Sequence, residues 1–149
     1  MNISKFTQKS VEILNNLEKI AYDFGAQEIA QEHLLYGMLT VEDSLIKKLI
    51  EKMEIDSDVF LAQVEGAVRK RPQVQGGQVY IGQDLNKVLV YAENEAKALG
   101  DEYVSVEHLF LSLLRKPSKE IKQLFHDFQI DRERFLQALS KVRGNQKVT

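Results

Sequence analysis

The chain has 149 residues, 44% of them hydrophobic and 28% charged, with a formal net charge of -2 and no cysteine. That is one domain's worth of sequence, able to bury roughly two-thirds of the surface it would expose unfolded. The weak charge excludes a field that draws in nucleic acid or an anionic membrane, and the missing cysteines exclude disulfides and thiol chemistry. No apolar run approaches the ~18 residues of a membrane span, and the opening Met1 to Phe6 lacks the apolar core of a signal peptide, so a cytoplasmic location is expected.

In chain order the sequence reads almost wholly as helix. Val11, Leu14, Leu17, Ala21 and Phe24 recur at three- and four-residue steps, the apolar face of a first helix, with Thr7 as its N-cap and Gly25 as its stop. A second helix begins near Gln31 and carries Leu34, Leu35, Met38 and Leu39, and a third covers Ser44 to about Met53. Asp56 or Ser57 caps a fourth, whose inner face is Val59, Phe60, Val64 and Val68. Residues 72–81 contain Pro72, Gly76 and Gly77 and cannot continue a helix. They nevertheless carry Val79, Tyr80 and Ile81 in a row, which either pin the loop to the core or offer a surface to a partner. Further helices are expected at about 83–99, 106–115, 118–128 and 132–143.

The second half restates the first. Gly25 falls on Gly100, Glu32-His33-Leu34 on Glu107-His108-Leu109, Leu39 on Leu114, Ile55-Asp56 on Ile130-Asp131 and Phe60-Leu61 on Phe135-Leu136, all at one offset of 75. Upstream, Gln8, Leu14, Glu18 and Ala21 fall on Gln83, Leu89, Glu93 and Ala96. The expected fold is all-α: a single globular domain of two pseudo-symmetric four-helix repeats, about 6–71 and 82–146, joined by a Gly/Pro-containing loop at 72–81. The cap expected at Ser105 is Ala30 in the first repeat, a lost oxygen worth ~0.5–2 kcal/mol that makes the first repeat the softer one there. The polar tail 144–149 reads as the start of a linker.

Chemistry is sparse. Gly77 and Gly82 have the spacing of a phosphate-binding loop, but Gln83-Asp84 stands where Lys and Ser or Thr must be, and Asp84 reads instead as an N-cap. Glu32-His33 and Glu107-His108 are adjacent pairs, about 100° apart around a helix, so neither converges on one metal ion. Both histidines read as packing or capping residues, and Glu107 as a carboxylate complementing a helix dipole. No nucleophile elbow occurs, and Arg69-Lys70-Arg71 reads as a solvated helix end. From the residues alone, the chain is a duplicated helical binding module without a catalytic set.

Several stretches go further. The Glu-His-Leu at the head of each inner helix, the opening Phe6-Thr7, the linker from Arg71 to Gly76, Gln83-Asp84-Leu85, the lead-in from Gly100 to Ser105 and the terminal Arg143-Gly144-Asn145 together resemble the N-terminal Clp repeat domain of ClpB-type AAA+ disaggregases. ClpC-type relatives are similar in the repeats but usually lack that linker. The resemblance covers the whole chain and implies a domain that holds unfolded or aggregated polypeptide in a shallow apolar groove and passes it to a hexameric ATPase ring. It implies a monomeric domain with no cofactor of its own, since ATP and magnesium belong to ATPase modules absent from this sequence, and a possible co-chaperone or adaptor as a further partner. The alternative it implies is adaptor recognition of the ClpC type. Carried over residue by residue, the polypeptide-binding positions are Thr7, Asp101 and Glu107, with Leu89 on the apolar wall. Tyr80 joins them from the loop argument. His108, polar where some relatives are apolar, implies a wetter and weaker groove.

Overall fold

The computed structural model describes residues 3–74, 76–144 and 146–149. Gln75 and Asn145, which belong to the linker and terminal stretches quoted above, lie outside the described residues. After a 3-10 turn at Ile3–Lys5 come α1 (Gln8–Asn15), α2 (Leu17–Asp23), a short strand β1 (Glu28–Ile29), α3 (Gln31–Thr40), α4 (Leu45–Lys52) and α5 (Ser57–Arg69). The second half holds β2 (Tyr80–Ile81), α6 (Gln83–Ala98), α7 (Val106–Arg115), α8 (Lys119–Asp127) and α9 (Arg132–Arg143). The fold is all-α with repeated helices, as expected. None of the described helices is long and apolar enough to cross a membrane.

One expected helix is two. The first breaks at Asn16, whose N–H is shared between the Ile13 and Leu14 carbonyls. Asn15 and Asn16 compete with the helix for backbone hydrogen bonds, whereas the equivalent Val90 and Tyr91 do not, and α6 runs unbroken for 16 residues. Elsewhere the capping logic holds. Thr7 accepts from the Ser10 N–H, Ser44 from Lys47, and Asp56, rather than Ser57, from Asp58 and Val59. Gly25 and Gly100 both adopt φ 73°, and both turns close with the same bonds, Ala26 N–H to the Ala21 carbonyl and Asp101 N–H to that of Ala96. Asp84 is not a cap. Gly82 occupies that position, the equivalent of Thr7, and a Cβ there would displace the Glu28 side chain.

The inner helices α3 and α7 are buried along most of their length and touch each other, while α4 packs on α7 and α9 and α5 on α8. One apolar core therefore runs through both repeats, with Leu34, Leu35, Ile46 and Phe60 of the first meeting Leu109, Phe110, Leu113 and Phe135 of the second. Gln31, buried at the head of α3, fastens the halves: its Nε2 donates to the Asp84 and Lys116 carbonyls and its Oε1 accepts from Ser118 N–H.

The repeats also exchange their lead-in segments. Phe6 bridges Val104 in parallel, and Ile81 pairs with Ile29 in parallel. These are equivalent contacts, since Phe6 corresponds to Ile81 and Ile29 to Val104. The bonds match: Thr7 N–H to the Val104 carbonyl and Gly82 N–H to that of Ile29, each 2.9 Å. The linker is thus pinned through its backbone, which the absence of any helical pattern in residues 72–81 could not reveal.

Candidate functional site: a groove and two charge clusters

The five expected positions fall into separate places. Tyr80 and Leu89 share one groove, Asp101 and Glu107 share one charge cluster, and Thr7 caps α1 half-buried, with its hydroxyl donating to Ser10 Oγ at 3.0 Å. Thr7 is tied to the segment that follows Asp101 through the backbone bond to Val104.

The groove has a volume of about 330 Å³ and is lined by Leu14, Leu17, Ile29, Val79, Tyr80 and Leu89 among others. Leu14 and Leu89 are equivalent residues of the two repeats, so the groove sits where the duplicated first helices face one another. Its depth is uneven. Leu89 is 2% exposed and forms the floor, more core than wall, whereas Tyr80 and Ile81 are 53% and 47% exposed at the mouth. Because β2 is held by the Tyr80 N–H to Gln27 carbonyl and Gly82 N–H to Ile29 carbonyl bonds, these apolar side chains stand in water on a fixed backbone. The Val79-Tyr80-Ile81 run therefore divides: the main chain and Val79 are pinned, and the next two side chains are exposed. Among the described residues no group of three or more acidic, histidine or cysteine side chains could hold a metal ion.

The clusters sit at the heads of the inner helices and repeat each other. His33 and His108 are fully buried, and each accepts a hydrogen bond at Nδ1 from the backbone N–H three residues earlier, Ala30 and Ser105, both at 2.8 Å. An accepting Nδ1 puts the proton on Nε2. The histidine thus does the work of the glutamate or glutamine in a capping box. The Ser105 hydroxyl does not accept from the helix; it donates to the Glu107 carboxylate. So neither repeat relies on a conventional capping oxygen here, and the softness expected of the Ala30 end does not follow.

The two clusters diverge around the other ring nitrogen. His108 Nε2 donates to Asp101 Oδ2 at 2.7 Å, and Asp101 Oδ1 is held by Arg143, which also approaches Glu107 at 4.0 Å. Asp101 and Glu107 are only 7% and 6% exposed. Burial works to raise the Asp101 carboxyl, but bonds from Arg143, the Val148 amide and His108 outweigh it and hold it below the ordinary range. Burial likewise lowers His108 in spite of Asp101 and Glu107, so the ring stays neutral. His108 is accordingly an internal bonding partner, not a wet spot in the groove.

In the first repeat Ala26 replaces Asp101, and the buried His33 Nε2 has no hydrogen-bond partner among the described residues. Burial and the charge of Arg71 depress His33 to about 4. Arg71 reaches Glu28 at 3.3 Å and Glu32 at 3.8 Å, and is therefore not part of a solvated helix end. Burial raises the Glu32 carboxyl although Arg71 pulls the other way. Arg71, Arg143, Ile81 and Val148 were not among the site residues expected from the sequence. Arg71 and Arg143 differ by 72 positions, so the strict offset of 75 conceals their equivalence.

Comparison with known proteins fits this geometry. The family model of the Clp repeat (R) N-terminal domain matches residues 5–128. The chain is 40% identical to the chaperone protein ClpB of Nitratidesulfovibrio vulgaris and 36% identical to that of Bacillus cereus, over its whole length in both cases. It spans about 18% of the length of these relatives. Among solved structures, the Hsp104 N-terminal domain from Candida albicans superposes with a TM-score of 0.83 at 20% identity, covering 97% of this chain and 95% of that one. The N-domain of ClpV from Vibrio cholerae gives 0.78 at 19% identity, covering 99% and 90%, and a complex of a ClpV N-domain with a VipB peptide gives 0.76 at 20%, covering 99% and 92%. A duplicated helical unit matched across most of its length by the family model, with the Glu-His-Leu heads doing equivalent work in both halves, places this chain in the Clp repeat N-terminal domain family.

Proposed function

We propose that the domain captures unfolded or aggregated polypeptide in the groove beneath Tyr80, for delivery to the ATPase modules of a larger hexameric protein. The observation that carries this reading is the pair Tyr80 and Ile81, about half exposed on a hydrogen-bonded strand above Leu14, Leu17 and Leu89. A shallow apolar surface on a rigid support suits a binder that accepts many sequences briefly, because no deep pocket selects one side chain. The ligand loses ordering entropy on binding, so affinity in the tens of micromolar or weaker, about -6 kcal/mol, is expected. Thr7, Asp101 and Glu107 then act as polar contacts apart from the groove lining, Asp101 and Glu107 through the little surface they expose.

A second reading, recognition of a defined partner or adaptor, is favoured by one observation: a fold neighbour was solved with a VipB peptide. Titration of the isotopically labelled domain with casein, a permanently unfolded polypeptide, separates the two. Amide shifts clustered at Leu14, Val79, Tyr80 and Ile81 support client capture. Their absence at near-millimolar casein removes it and leaves the adaptor reading.

A further inference from the structure

We propose that the turn from Gly100 to Tyr103 is a slot for the main chain of an extended polypeptide, and that residues 147–148 of this chain fill it in cis. The contacts address backbone. Val148 N–H donates to Asp101 Oδ1 at 2.9 Å, and its carbonyl accepts from Glu102 N–H at 2.8 Å and Tyr103 N–H at 3.2 Å. Lys147 Nζ adds a bond to the Leu99 carbonyl at 2.9 Å. A carboxylate that takes an N–H beside two N–H groups that take the same residue's carbonyl grips any extended residue, since every residue except proline offers that pair. The carboxylate is rigid because His108 and Arg143 hold it from behind.

The first repeat gives an internal comparison. There Gln73 bridges Ala26, Val74 N–H donates to the Gly25 carbonyl at 3.0 Å and the Gln73 amide reaches the Phe24 carbonyl, the equivalent of Leu99. The chain following the last helix therefore lies on the same turn in both repeats. In the first it continues to β2 and is locked in place. In the second, residues 146–149 follow α9, and the turn carries Asp101 where the first has Ala26.

If Asp101 also serves client polypeptide, which rests on the function proposed above, the tail and the client compete for the same oxygen. A slot nine-tenths filled by the tail weakens external binding about tenfold, because only the open fraction is competent. Val148→Pro in the 149-residue chain deletes the N–H that Asp101 accepts while touching no helix and no core residue. Order parameters at residues 147 and 148 are expected near ~0.8 in the parent and below ~0.6 in the variant. Casein affinity read at the Glu102 and Tyr103 amides is expected to rise up to about tenfold in the variant. A tail already mobile in the parent overturns the latch, and a released tail with unchanged casein affinity overturns the slot. Absence of shifts at Tyr80 and Ile81 in both proteins sinks the client reading alone, and the order parameters still decide the latch.

Discussion

Acid should weaken this domain in part through His33, which makes no contact with solvent. His33 is held neutral at about 4, against 6.5 for an ordinary histidine, by burial and by Arg71. Between those values the unfolded chain binds a proton that the native ring refuses. Stability is therefore complete above about pH 6.5, falls as pH drops towards 4, and changes no further through this group below that. Going from pH 7 to pH 4.5 the linkage amounts to about 2–3 kcal/mol. The groups around it are Arg71 and the two carboxylates that pair with it, Glu28 and Glu32. Burial raises Glu32, so its protonation in the native state offsets part of the loss in the same window. His33→Gln is the control, because glutamine at this helical position still reaches back to the Ala30 N–H but carries no proton to refuse. Urea unfolding of both proteins at pH 7 and pH 4.5 gives four free energies. The parent should lose about 2 kcal/mol more than the variant across the interval. Equal losses would refute the reasoning, since His108 and the carboxylates are present in both and cancel.

Other outcomes follow from the same geometry. Ala26→Asp supplies the first repeat with the carboxylate that Asp101 gives the second, so it should meet His33 Nε2 and Arg71 and stabilise the domain by about 1 kcal/mol or more; a lower urea midpoint would show that the two clusters are not superimposable there. Leu89→Ala should cost about 3–5 kcal/mol in urea unfolding, as expected of a fully packed leucine, whereas Tyr80→Ser at the half-exposed mouth should cost below ~1 kcal/mol. For casein binding the order reverses: Tyr80→Ser should weaken it at least about fivefold, some 1 kcal/mol, and an undiminished affinity in that variant would remove Tyr80 from the site.

Helix content was legible because apolar spacing is local: α6 to α9 start and end within about a residue of where their periodicity and caps put them. The break at Asn16 was written in the Asn15-Asn16 pair but reads there as two ordinary exposed positions. The reciprocal pairing of Phe6 with Val104 and Ile81 with Ile29 was not legible, because a bridge of one or two residues has no periodicity of its own. Tyr80 came from the loop's apolar run. Asp101 and Glu107 came from resemblance, and spacing alone could not show that they share Arg143. Leu89 illustrates the limit of single-residue reading: its pattern is the same whether it walls a groove or floors it, and only its 2% exposure separates the two.

The crossed lead-ins carry a consequence for how such a domain arises. Each half leaves an unpaired edge, at Ile29 in one and at Val104 in the other, that is satisfied only by a residue from the opposite half. A half on its own is thus an unfinished folding unit, and residues 3–71 expressed alone should remain largely unfolded or associate. Two identical halves would complete each other through the same exchange in both directions, which is the definition of a self-complementary dimer with two-fold symmetry. Gene fusion of such a dimer turns an intermolecular handshake into an intramolecular one. The fused copies are then free to diverge, with aspartate at position 101 and alanine at position 26 as one outcome.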